Sequence, residues 1–286
     1  MAEGRTIAIT GVTGSQGGAA ARHLLAAGWR VRGLTRDAGS AAAKRSATTG
    51  VELVQGDMSD PAALDRLVAG AYGVYAVTDF FHNGLTKEVE QGTLVADAAR
   101  RAGVRHFVFP SLALSERQTG VPYFEAKAAI EAHVRGSGLP ATILRLSMFM
   151  EDLVDKKYAP PIWWGTVRRT VGAHKPLMWV AVDDVGAAVA AVFAKPDAYI
   201  GQVLPVAGDF KSIAEAREIF VRVTGTAPLA IPLPLWLCTH LVNADLVPFW
   251  VWLGKNPVDK DLAPTRQLLP AVKDMEAWLR ATRSRA

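Results

Sequence analysis

The sequence holds a single cysteine, Cys238, among 286 residues. One thiol forms no intramolecular disulfide and no cysteine-based metal site, so the fold must rest on its apolar core, in a reducing compartment. The six histidines show no ligand spacing, and no metal is expected. Runs of like charge are also lacking. Basic residues exceed acidic ones by five, yet they fall in short scattered groups such as Arg168–Arg169 and the tail arginines 280, 283 and 285. Without a basic face or stripe, nucleic-acid binding is not expected, and the scattered charge suits attraction of a small anion. Long unbroken apolar runs are missing too. The most apolar stretch, Leu235–Gly254, contains His240, Asn243, Asp245 and Pro248. A spanning helix tolerates such residues poorly, which points to a buried or pocket-lining helix broken near Pro248, with a peripheral membrane contact as the lesser reading. The opening MAEGRT runs directly into a strand pattern, so no export signal is expected and the chain reads as cytoplasmic.

What is present is ordinary for a globular protein: 50% hydrophobic and 21% charged residues. The length suits one large α/β domain with a smaller appendage. Short apolar runs alternate with helical patterns through the first half. Strands are expected at Ile7–Thr10, Arg30–Thr35, Val51–Gln55, Val74–Thr78, His106–Pro110 and Ala141–Leu146. Helices are expected at Gly17–Ala27, Asp60–Ala69, Glu88–Ala102 and Tyr123–Arg135, with Ala38–Thr49 a polar, Ala-rich connection. Strands separated by helices predict a doubly wound parallel sheet with helices on both faces. Further on, Val182–Ala194 reads as a helix, Gln202–Val206 as a returning strand and Ser212–Thr224 as a helix capped by Ser212. Prolines 228, 232, 234, 248, 257 and 264 divide the remainder into a small, mostly helical region over the carboxyl edge of the sheet. The expected division is 1–155 for the sheet domain and 156–286 for a substrate- or partner-binding region.

The first strand–helix turn carries Gly11, Gly14 and Gly17 in a G-x-x-G-x-x-G pattern, with Gly18 behind. Amides at a helix N-terminus favour a negative group, and glycines let a diphosphate approach the backbone and let the helix pack on the sheet. Here the motif follows a strand and opens a multi-strand α/β pattern, the context in which it signifies dinucleotide binding. The second strand ends Gly33-Leu34-Thr35-Arg36, with an acidic residue only at Asp37. An arginine there offers a charge-assisted fork to a 2′-phosphate, which Lys44 or Arg45 could close over, and this favours NADP over NAD. After the third strand, Asp57 and Met58 could border the adenine or simply form a turn.

These segments together resemble a known family. TGVTGSQGG, LTRD, VQGD, the run Ala71–Ala102, FVFPSLALS, AKAAIEAHVRGSGLPATILRLSMFMEDL, VAVDDVGAAVAAV and the late TRQLLP and MEAWL look like the NmrA-like proteins. These are atypical members of the short-chain dehydrogenase/reductase superfamily, and the resemblance covers nearly the whole chain. It implies a Rossmann-type fold that binds NADP(H) through Gly11, Thr13, Gly14, Ser15, Gln16 and Gly17. It places Arg36 at the 2′-phosphate, Asp57 and Met58 at the adenine, and Val77 and Thr78 along the cofactor. Some members of the family are redox-sensing regulators with protein partners; others resemble NADPH-dependent reductases of quinones or isoflavones.

Catalytic residues are also suggested. Tyr123 and Lys127 have the Tyr-x-x-x-Lys spacing, which puts both on one face of a helix. A free tyrosine, with a pKa of about 10, is a weak acid near neutral pH. A lysine cation and a helix N-terminus stabilise the phenolate and make proton donation to a substrate oxygen feasible. Ser111, after the fifth strand, could hydrogen-bond the same oxygen, and Lys127 could hold the nicotinamide ribose. The set matches the wider superfamily, but the gap from Ser111 to Tyr123 is short and no helper asparagine can be placed. Met148, Phe149 and Met150 follow the sixth strand near the expected nicotinamide, with Phe149 assigned to the cofactor. Trp163, Trp164, Trp179, Trp236, Trp250 and Trp252 are read as core for at least half, the rest as walls of a cleft for a small apolar or aromatic substrate. The leading reading is an NADPH-dependent reductase of an apolar carbonyl, quinone or conjugated double bond. The second is a non-catalytic NADP(H) sensor acting through a protein partner, with Ala38–Thr49 and Leu112–Val121 as switching loops. A metabolite-binding scaffold ranks third.

Overall fold

Short apolar runs of two to seven residues form strands, and the amphipathic stretches between them form helices that bury one stripe. The computed structural model describes residues 4–156, 160–231, 233–241 and 244–284. Residues 1–3 of MAEGRT, Pro232, Asn243 and Arg285 lie outside the described residues. The chain begins β1 (Thr6–Ile9), α1 (Ser15–Ala26), β2 (Arg30–Thr35), α2 (Ala41–Thr48), β3 (Glu52–Gln55), α3 (Pro61–Val68) and β4 (Gly73–Tyr75). It continues with α4 (Phe80–Arg101), β5 (His106–Leu112), α5 (Pro122–Gly136), β6 (Ala141–Leu146), β7 (Met148–Phe149), α6 (Pro160–Thr170), β8 (Pro176–Val180) and α7 (Val182–Ala194). Then come α8 (Pro196–Tyr199), β9 (Val203–Val206), β10 (Asp209–Ser212), α9 (Ile213–Thr224), α10 (Leu235–Leu241), α11 (Leu246–Lys255), α12 (Ala263–Leu268) and α13 (Met275–Arg283).

The chain divides into two compact units. The first comprises Met1–Gln118, Glu125–Arg145 and Val185–Leu204; the second comprises Thr119–Phe124, Leu146–Asp184 and Pro205–Ala286. A single cut at residue 155 does not coincide with them, because the chain leaves the first unit after Arg145 and returns for α7. In the first unit the sheet has the order β3-β2-β1-β4-β5-β6-β9. The pairs β1–β2, β1–β4, β2–β3 and β4–β5 are parallel, with Ile7 opposite Val31 and Gly73. This is the doubly wound Rossmann arrangement, whose strand order reverses between β1 and β4. One face of the sheet is covered by a core of Ala8, Val74, Phe107 and Phe109 with Leu64 and Leu67 of α3, Val95 of α4 and Ile130 of α5. The second unit is mainly helical. It also carries a three-stranded sheet, β10-β8-β7, antiparallel at β10–β8 and parallel at β7–β8. Strands of two to five residues are too short for period-two alternation to reveal them, and the sequence reading missed this sheet.

Three other readings need correction. Ala38–Thr49 is not a loop: Ser40 caps α2, its hydroxyl accepting from the Ala43 amide. Helix α4 begins at Phe80, ahead of the expected Glu88, with a kink at Gly84 (φ 74°, ψ 168°), a left-handed conformation suited to glycine. The break in Leu235–Gly254 falls between α10 and α11, and Pro248 sits in the first turn of α11, where a missing amide costs nothing. Phe249, Trp250 and Leu253 are buried, while in the first half Cys238 is buried and Trp236 is 68% exposed, so that half is only partly interior. No helix of the described residues is long and apolar enough to cross a membrane.

Two features of the first unit set its stability. A Cβ on Gly17 would lie 2.3 Å from the Gly11 carbonyl oxygen and 2.9 Å from Val12 Cα, so α1 rests on the backbone of the β1 turn. His106 of β5 is completely buried. The Thr142 hydroxyl donates to the Tyr199 carbonyl, so at the 2.8 Å contact His106 Nε2–H must donate to Thr142 Oγ1. Burial lowers the His106 pKa from 6.5 to about 4. The stabilisation from keeping this ring neutral is present above pH 6.5 and is lost as the pH falls through about 4.

Two outcomes are expected. Gly17→Ala costs at least about 2 kcal/mol in urea unfolding, because a backbone contact cannot relax as a side chain does. The unfolding free energy of the native chain falls by about 3 kcal/mol from pH 6.5 to pH 4 on account of His106, and His106→Asn, uncharged at both pH values, loses that share of the dependence.

Candidate functional site

In a doubly wound sheet the ligand crevice opens outside the carboxyl ends of the strands, where the strand order reverses. Here that point joins the turn after β1 to the turn after β4. The Thr10 hydroxyl donates to the Val77 carbonyl at 2.8 Å, and Gly11, at φ 63°, leaves room for the Val77 side chain. Gly14 is the N-cap of α1 and offers no side chain to the first amides, and the first turn contains no acidic residue. Thr13, Gly14 and Ser15 are exposed. An exposed helix N-terminus with no acidic residue in its first turn fits a diphosphate. Gln16 accepts from the buried Tyr75 hydroxyl at 3.4 Å. The expected helix start at Gly17 is two residues late. Gly17 is buried inside α1 and serves packing, while Gly14 stands at the exposed tip.

At the end of β2, Arg36 is exposed and forms no ion pair among the described residues. The Asp37 carboxylate accepts from the Gly39 amide at 2.7 Å, and its carbonyl accepts from the Ser40 hydroxyl at 2.9 Å. Asp37 therefore builds the turn into α2 and leaves the strand tip to Arg36. Lys44 and Arg45 are exposed on that helix. Asp57 accepts from the Ser59 amide at 2.8 Å and so forms a turn of its own, and Met58 packs against the core.

Thr78, Glu88 and Lys127 converge after β4. The Lys127 ammonium donates to Glu88 Oε1 at 2.7 Å and to the Thr78 hydroxyl at 2.9 Å, and Thr78 donates to the same Glu88 oxygen at 2.6 Å. Lys127 also lies 5.5 Å from the centroid of the Phe109 ring. Glu88 is completely buried and Lys127 nearly so. The sequence reading missed Glu88, although a signal was there. Glu88, Gln91, Gly92, Val95, Ala96 and Ala99 recur at three- and four-residue steps and are all buried, so an acid stood on the apolar stripe of α4.

Ser111 lies inside β5, not after it, and belongs to a different network. Its hydroxyl meets that of Ser115 at 3.4 Å, and Ser115 donates to Glu131 Oε1 at 2.7 Å. Arg145 grips Glu131 with two bonds of 3.0 and 2.8 Å and Glu116 with a third contact of 2.8 Å. Burial alone would raise the Glu131 pKa, but the bonds from Arg145, Ser111 and Ser115 outweigh it and hold the carboxyl below its ordinary range. The clamped segment is strained: Leu114 (φ 72°) and Gln118 (φ 48°) are the positive-φ residues other than glycine among the described residues. No hydrogen bond among the described residues joins this network to Lys127.

Tyr123 falls in the second unit. It is half-buried, and its ring meets Phe249 edge-on at 5.4 Å. Phe149, in β7, pairs with Val180 of β8. Trp163 lies about 6 Å from the Trp164, Trp179 and Trp250 rings, and all four are buried core. Among the described residues no group of three His, Cys, Asp or Glu could hold a metal ion.

The NmrA-like family model matches residues 3–239. The NmrA-like family domain-containing oxidoreductase lnaB of Aspergillus flavus is 28% identical over 265 residues, which cover 81% of this chain and 77% of that protein. NmrA, a negative transcriptional regulator solved in complex with NADP, superposes with a TM-score of 0.78 at 20% identity, over 98% of this chain and 95% of its own. The triphenylmethane reductase of Citrobacter sp., solved with NADP(H), gives 0.78 at 21% identity over 96% and 99%. At these identities the two structures share the fold.

The Glu131 clamp yields a prediction. Arg145→Met leaves a buried carboxylate short of its main partner and costs about 3 kcal/mol in chemical denaturation. The same variant is cut earlier than the native chain by protease at residues 114–118, as mapped by mass spectrometry.

Proposed function

Because the chain belongs to the NmrA-like family, we propose that it binds NADP(H) and is an NADPH-dependent reductase of an apolar carbonyl, quinone or conjugated double bond. The observation that carries the cofactor is the pairing of an uncapped, exposed α1 N-terminus with an exposed Arg36, while the Asp37 carboxylate is taken up by the Gly39 amide. An acidic strand tip would repel a 2′-phosphate, whereas a lone guanidinium grips it. The names of the curated relative, an oxidoreductase, and of one structural neighbour, a reductase, support the redox reading.

In this reading the α1 amides with Thr13, Gly14, Ser15 and Gln16 hold the diphosphate, and Gly11 and Gly17 shape the turn. Arg36 holds the 2′-phosphate, and Asp57 and Met58 border the adenine. Val77, Thr78, Lys127 and Phe149 serve the nicotinamide end. The bound cofactor supplies a hydride. The proton that completes the reduction comes from Tyr123, whereas the Ser111 hydroxyl is taken up by the Glu131 network. The Glu88 carboxylate compensates the Lys127 charge.

One observation favours a second reading, a redox sensor that acts through a protein partner. The strained Leu114–Gln118 segment is held by an ion cluster centred on the buried Glu131, the kind of element that can take two arrangements. The solved regulator NmrA binds NADP as well.

The test is a titration followed by turnover. NADPH is expected to bind at least tenfold more tightly than NADH, with Arg36→Ala abolishing the preference. NADPH oxidation is then followed across quinones, aldehydes, ketones and enones, and Tyr123→Phe is expected to lower turnover about 100-fold with binding intact. Turnover untouched by Tyr123→Phe keeps the reductase and removes Tyr123 as the acid. Tight binding with no turnover on any substrate favours the sensor.

A further inference from the structure

Glu88 presents an unusual arrangement for a completely buried acid. Both of its bonds among the described residues end on one oxygen, Oε1, which accepts from Lys127 and Thr78, and Oε2 has no donor among those residues. Burying a carboxylate is costly, and a buried ion pair is seldom retained for stability alone. A carboxylate placed for stability would be satisfied on both oxygens, as Glu131 is by Ser115, Arg135 and Arg145. Every bond that Glu88 does make goes to the turn after β4 and to Lys127. The three residues are also far apart in sequence. Lys127 stands on α5, Thr78 follows β4 and Glu88 lies on α4, so one oxygen ties three elements at the carboxyl edge of the sheet.

We propose that Glu88 is the positioning residue for the nicotinamide end of the site: it aligns the Lys127 ammonium and the Thr78 hydroxyl for a cofactor hydroxyl. The proposal rests on the reading that Lys127 faces the cofactor. Lys127 has three donors, of which Glu88 and Thr78 engage two. The third is left for a ligand, and its direction is set by the other two. Without Glu88 a flexible lysine stem samples many rotamers, and the ligand must bear the entropy of selecting one. Glu88 acts through Lys127 and does not itself touch the cofactor.

The experiment compares Glu88→Gln, Lys127→Met, the double variant and Glu88→Asp. Each is titrated with NADPH and melted without it. Glu88→Gln is expected to melt earlier and to bind NADPH about tenfold more weakly, since it strands a buried ammonium. The double variant is expected to regain most of the melting midpoint while its NADPH affinity stays equal to that of Lys127→Met. A purely structural role would lower the melting midpoint of Glu88→Gln while leaving its NADPH affinity native. Glu88→Asp is expected to restore part of the affinity. If Glu88→Gln does not fold, the double variant against Lys127→Met carries the comparison. Losses that multiply in the double variant, or native affinity in a folded Glu88→Gln, overturn the positioning role while leaving the proposed reductase intact. Native affinity in Lys127→Met overturns the placement of Lys127 at the cofactor, and this proposal with it.

Discussion

The first unit depends on how closely α1 approaches the turn that precedes it. Gly17 sits so near the Gly11 carbonyl that no side chain fits between them, and Gly11 itself takes a left-handed conformation. This close approach brings the N-terminus of α1 over the carboxyl edge of β1. From there the constraints propagate. The room at Gly11 is filled by Val77, whose carbonyl receives the Thr10 hydroxyl, so the turns after β1 and β4 are locked together. On the other side, a Cβ at Gly33 of β2 would overlap Val12. The helix terminus, the end of β2 and the end of β4 thus form one rigid corner, and Arg36 and Thr78 are placed by it.

Two buried acids in this unit show two uses of the same group. Glu131 is surrounded by donors, and its network anchors a short segment with two left-handed, non-glycine residues. The strain at Leu114 and Gln118 persists because surrounding ion pairs and hydrogen bonds over-determine it. Glu88 is satisfied on one oxygen only, by a lysine and a threonine from two other elements. The first arrangement confers rigidity. The second gives direction to an ammonium group, and that difference is why the functional argument follows Glu88. The second unit is built on other terms: its tryptophans pack ring against ring, and its strands are short.

Much of the fold was legible in the sequence. The parallel strands and their helices announced themselves by period, and β2, β6 and α7 have the expected ends. The short β10-β8-β7 sheet did not, because two to five residues cannot establish an alternation. α2 hid behind polar composition, although Ser40 ahead of an alanine run is a helix start. In the candidate site, the glycine turn and Arg36 were legible because they lie within a few residues of one strand end. Asp37 was ambiguous until its carboxylate was seen to cap its own turn.

The sequence by itself determined what is local: a strand handing over to a helix through glycines, a basic residue at the second strand tip, and an acid on the apolar stripe of α4. Each follows from spacing along a single element. Tertiary structure alone decided which charges meet. Glu88 and Lys127 lie 39 residues apart, and Glu131 and Arg145 lie 14 apart across a helix–strand connection. Such pairs are selected by the sheet order and by the cost of leaving any one of them buried alone. That cost depends on how the elements close around the charge, and no run of residues read in order contains it.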